Sequence, residues 1–88
     1  MVDMSLALIR AEVRARLELP PPKERRALRE RAGLSLEAIA NELGISKSTV
    51  CLWEQGRGPG KSHVRSYAML LRALRAEFDA IDAAGRHE

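Results

Sequence analysis

Apolar residues recur at helical spacing through most of the chain. Leu6, Ile9, Val13 and Leu17 fall 3, 4 and 4 residues apart, which stacks them on one face of a helix over residues 5–19. Arg10, Arg14 and Glu18 fall on another face, and Asp3 or Ser5 stands where a cap is needed. Pro20-Pro21-Pro22 must end that helix, because proline lacks the amide donor and restricts the residue before it. Pro22 suits the first position of a second helix, predicted over residues 22–32, with Leu28 and Ala32 inward and Gly33 as its stop. Lys23, Arg25, Arg26, Arg29 and Arg31 surround that apolar face.

Ser35 reads as the N-cap of a short third helix, residues 36–43, with Glu37 in its first turn and Gly44 after it. Ser46 caps a fourth, running to about Gln55. Residues 56–60 hold three glycines and a proline, a loop on any reading. From Ser62 a long helix runs to about Ala83, with Val64, Tyr67, Leu71, Leu74, Phe78 and Ile81 spaced 3, 4, 3, 4 and 3 apart. The prediction is an all-α chain of about five helices in one domain, residues 1–88. Residues 1–19 form an extra helix, 22–74 the core and 75–88 a helical extension and tail.

Composition agrees and narrows the field. Aromatics make up 3% of the 88 residues, so the core must be aliphatic, and apolar and charged residues at 45% and 31% give a globular balance. The net charge of +3 hides a gradient: residues 46–75 set six cations against Glu54 alone, while residues 76–88 are net −3. The basic stretch suits a polyanion and the tail does not. One cysteine, Cys51, excludes an intrachain disulfide framework and a cysteine-based zinc site. The longest apolar run, residues 67–71, is five residues against the roughly 20 needed to span a bilayer. With no signal-peptide pattern at the start, a cytoplasmic protein with no membrane partner is expected.

His63 and His87 lack the spacing of a metal pair, and no nucleophile–base or paired-carboxylate arrangement stands out. No enzyme activity, cofactor, metal or small-molecule ligand is therefore expected. Cys51 lies beyond the first turn of its helix, which gives no ground for a reactive thiol, and it reads as a small filler.

Residues 35–56 carry the informative pattern, two short helices joined by a tight turn. Such helices cross closely only if Ala40 is small and Gly44 permits positive φ, with Ile39, Leu43, Ile45, Val50 and Trp53 filling the angle between them. All seven positions comply. The stretch from Arg25 to Leu74 resembles the phage repressor, Cro and XRE-type (lambda-repressor-like) helix-turn-helix family. The resemblance rests on the run from Leu28 to Ser35, on Ile39-Ala40, Leu43-Gly44-Ile45-Ser46 and Thr49-Val50, and on Trp53-Glu54-Gln55-Gly56-Arg57 and Pro59.

That resemblance implies a protein that binds double-stranded DNA, with the helix beginning near Ser46 in the major groove. Its outward residues Ser46, Lys47, Ser48, Cys51 and Leu52 would then face bases, Lys47 as a donor to guanine. It assigns phosphate contacts to Arg29, Thr49, Gly56, Arg57 and Lys61, with Thr49 alternatively supporting the turn. It also pairs Arg29 with Glu54, so that Glu54 would orient Arg29 toward a phosphate. The alternative is an isolated surface pair worth under about 1 kcal/mol.

Two positions depart from the pattern. Leu36 replaces a phosphate-binding glutamine, and Leu52 stands where relatives use Arg, Lys or Gln. Leu52 suits a thymine methyl, a protein partner or a role-free exposed position. Phe78, Ile81 and the first helix lie beyond the resemblance, and the economical expectation is that they meet, within one chain or across a homodimer. A dimer would read two half-sites about 34 Å apart. The expected function is a small repressor or Cro-like regulator, with an antitoxin or adaptor module as the alternative. An 88-residue chain leaves no room for a sensing domain, so regulation is expected through concentration or a partner.

Overall fold

The computed structural model describes residues 4–85. Five helices follow in order: α1 (Met4–Glu18), α2 (Pro22–Arg31), α3 (Leu36–Leu43), α4 (Lys47–Glu54) and α5 (Val64–Gly85). Asp3, one of the two expected caps of α1, lies outside the described residues, and Ser5 falls within the helix.

The helix ends follow local chemistry. Pro22 opens α2 at its first position. Ser35 and Ser46 cap α3 and α4, their hydroxyl oxygens accepting from the Ala38 and Thr49 amides at 3.0 and 3.2 Å. After α3 the Gly44 amide donates to Asn41 and the Ile45 amide to Ala40, a paired closure that needs a left-handed residue between them. Gly44 supplies it at φ 69° without the Cβ penalty.

The core is aliphatic with two aromatics. Ile39 and Ala40 of α3, Val50 and Trp53 of α4, and Tyr67 and Leu71 of α5 form one buried cluster, with Leu28, Leu34, Leu43 and Ile45 packed around it. Trp53 and Tyr67 meet at 4.7 Å between centroids, tilted by 46°, within the favourable range for an aromatic pair. Pro59 is buried as well, anchoring the loop before α5. The Arg16 guanidinium donates to its carbonyl at 2.8 Å.

The first helix does not pack as its apolar stripe suggests. Ala15 is buried and Ala11 half-buried, and α1 lies along the first half of α5, against Arg65, Ala68, Met69 and Arg72. Leu6, Ile9, Val13 and Leu17 sit on the opposite side and stay 53%, 56%, 51% and 82% exposed. Small side chains let the two helices approach closely, and Glu18 adds an ion pair to Arg72. The two extensions therefore do not meet within one chain. Phe78 is instead covered by α2, the Arg31 guanidinium lying 4.3 Å from the ring centroid. Ile81 remains 62% exposed.

Candidate nucleic-acid interface

The turn between α3 and α4 is held from two sides. Inside, Val50 and Trp53 fill the angle against Ile39 and Ala40. From below, Arg29 of α2 reaches α4 and donates through Nε and Nη2 to Glu54 at 2.6 and 2.9 Å. Its Nη1 donates to the Leu34 carbonyl at 2.9 Å. The two side chains are only 12% and 8% exposed, so this is no idle surface pair. The Glu54 hydrogen bond raises the Arg29 pKa further above its ordinary value.

The ion pair expected from the sequence is thus present, and it gives Arg29 a task inside the fold. All three guanidinium nitrogens already donate inside the fold, pinning α2 to the end of α4. Arg25 does the same, a role that sequence reasoning missed by counting it among surface cations. Its Nε donates to the Pro20 carbonyl at 2.7 Å and its Nη1 to the Trp53 carbonyl at 2.9 Å. No local signal marks it, because Trp53 lies 28 residues away in the chain.

On the outer side of α4, Lys47, Ser48 and Leu52 are exposed and Cys51 is half-buried. The Gln55 side-chain Nε2 donates to the Cys51 sulfur at 3.4 Å. Ser46 is exposed but engaged: besides its capping bond, its hydroxyl lies 2.8 Å from the Thr49 hydroxyl. Thr49 is half-buried and supports the turn. In the first turn of α4, the Lys47 and Ser48 amides have no intrahelical acceptor.

Beyond α4, the Gly56 amide donates to the Trp53 carbonyl at 3.2 Å and the Arg57 amide to Leu52 at 3.0 Å. These amides close the helix end, with Gly56 at φ 116°, and so are not the open anion donors that the sequence suggested. The side chains of Arg57 and Lys61 are exposed instead. Among the described residues, Lys47, Arg57 and Lys61 have no hydrogen-bond or ion-pair partner, in contrast to the arginines of α2. Leu36 and Leu52 border a shallow groove with Lys47, Ser48 and Cys51.

A family profile described as a helix-turn-helix domain matches residues 26–81, well over half of the chain. The chain belongs to the helix-turn-helix domain family. The match extends past Leu74 to include Phe78 and Ile81, so these residues lie within the family domain and not beyond it. α1, the proline run after it, the first residues of α2 up to Arg25 and the last residues of the chain fall outside. No curated protein and no solved structure matches the chain. DNA binding is the activity that a helix-turn-helix domain supports. No helix among the described residues is long and apolar enough to cross a membrane.

Proposed function

We propose that this helix-turn-helix protein is a sequence-specific regulator that binds double-stranded DNA, a small repressor or Cro-like protein acting as a homodimer in the cytoplasm. In this reading α4 enters the major groove and presents Lys47, Ser48, Cys51 and Leu52 to base edges, with Ser46 at its capped start. Arg57 and Lys61 hold phosphates on the flanking loop, with Thr49 and Gly56 shaping the backbone beside them. Arg29 enters as the pin that sets the angle of α4. The observation carrying the reading is the cluster of uncommitted cations on α4 and the following loop, on a domain whose buried arginines are already paired.

A second reading rests on the groove bordered by Leu36 and Leu52. A leucine at each of these positions favours a protein ligand, as an antitoxin or adaptor would need. A salt titration of binding to a random duplex and to DNA upstream of its own gene separates the two. The regulator loses affinity steeply with salt and prefers one palindromic site. Absence of both responses would reject it in favour of the protein-binding module.

A further inference from the structure

Two helical segments keep apolar residues that the rest of the molecule leaves uncovered. One is the outer stripe of α1, formed by Leu6, Ile9, Val13 and Leu17. The other is the distal half of α5, where half-buried Leu74 is followed seven residues later by exposed Ile81. The molecule is elongated, 52 × 34 × 20 Å. Its radius of gyration is 14.7 Å, against about 12 Å for a compact domain of this length. The two segments also match in length, about 22 Å for α1 and about 18 Å from Leu74 to the end of α5.

Their charges are opposite. Beside the α1 stripe stands exposed Arg10, while Arg14 lines the side that faces α5 and the two carboxylates of α1 are turned elsewhere. Glu12 is half-buried, and Glu18 is paired with Arg72. From Ala76 to Gly85 the chain has Glu77, Asp79 and Asp82 and no cation. Asp82 is held by Arg31, while Glu77, four residues before Ile81 and on the same face, has no partner among the described residues.

We infer that the outer face of α1 packs against the distal half of α5 of a second copy, and that the second copy returns the same contact. A two-fold axis makes the arrangement self-complementary, so each contact forms twice and the dimer closes. Leu6, Ile9, Val13 and Leu17 lose water against Leu74 and Ile81 of the other copy, and Arg10 comes opposite Glu77. The like-on-like alternatives lack this balance. Pairing α1 with α1 brings Arg10 toward its own copy, and pairing the two distal ends of α5 sets carboxylates against carboxylates. The inference deepens the dimer named under the proposed function, but needs nothing from its DNA-binding part.

Sedimentation of the full chain without DNA tests it. The expected mass is twice 9.8 kDa at about 100 µM. Arg10→Glu and Glu77→Arg are each expected to raise the dimer Kd about 5-fold or more, and the two changes in one chain to restore it. Ile81→Lys is expected to leave a folded monomer, with helical circular dichroism and thermal melting retained. A second assay uses cysteines at Val13 and Ile81 in a Cys51→Ser background. Under oxidation the two variants are expected to cross-link when mixed, and neither alone. A monomeric parent chain, charge reversals that leave Kd unchanged or add their losses, or cross-linking of either cysteine variant with itself would overturn the interface. A dimer through another face would leave the reading of two DNA half-sites standing.

Discussion

Two populations of basic residues in this chain differ in a way that composition cannot show. On α2 and α5, all arginines but Arg65 are engaged within the fold: Arg25 and Arg29 tie α2 to the end of α4, and Arg31, Arg72 and Arg75 pair with carboxylates 51 to 54 residues away. On α4 and the loop after it, Lys47, Arg57 and Lys61 are exposed and uncommitted. The excess of +5 over residues 46–75 therefore overstates the charge open to a polyanion, since Arg72 and Arg75 lie within it and are already paired. The proposed function assigns DNA contact to the cations that the fold leaves over on α4 and its loop.

The largest expected effect breaks the first population. Arg29→Ala leaves Glu54 buried without its partner and is expected to cost about 3 kcal/mol, lowering Tm by about 10 °C or more. Arg57→Ala is expected to leave Tm within about 2 °C, because nothing in the fold holds that side chain. Equal losses from the two variants would erase the distinction.

Tyr67 sharpens the same contrast from the core side. It packs on Trp53, and its hydroxyl is buried with no hydrogen-bond partner among the described residues. Burial, reinforced by the charge of Glu54, pushes its pKa from 10.0 up to about 12. The neutral form is thus favoured in the folded state, so this contribution to stability is complete below pH 10 and is lost as pH rises through about 12. Tyr67 is the chain's single tyrosine, and tyrosinate absorbance is expected to appear near pH 12 in the folded protein. Ionisation near 10 under native conditions would mean that the seam between α4 and α5 is open.

Within the second population the cations divide by task. Lys47→Ala is expected to cost about 1–3 kcal/mol on the preferred site and to relax preference at one base pair. Arg57→Ala is expected to weaken all duplexes alike, and competition binding with single-base variants of the site distinguishes the two. Smallest of all, Arg75→Ala removes an exposed pair with Glu24 and is expected to change stability by less than about 1 kcal/mol and DNA affinity hardly at all. Paired thermal melts and duplex titrations check both parts of that expectation.

The same division explains what the sequence disclosed. The bounds of α3, its serine cap and its glycine stop were all legible, because each depends on chemistry within three or four residues. The Arg29–Glu54 pair, separated by 25 residues, was legible only through resemblance to a family. Arg25 had no such guide, and its partners at Pro20 and Trp53 come together only in the folded chain. Periodicity placed Leu6, Ile9, Val13 and Leu17 on one face correctly but is silent on what covers that face. Close approach through Ala11 and Ala15 turned it outward. At the candidate interface, outward Lys47 and Ser48 followed from helix geometry, whereas the closure of the Gly56 and Arg57 amides onto α4 depends on a turn that residue types alone do not specify.

The most direct test of the account is the salt dependence of duplex binding for two sets of charge removals. Lys47→Ala, Arg57→Ala and Lys61→Ala together are expected to reduce the slope of log K against log salt by about 2–3, whereas Arg72→Ala with Arg75→Ala leaves it unchanged. A slope that falls equally for both sets, or only for the α5 pair, would contradict the assignment of DNA binding to α4 and its loop.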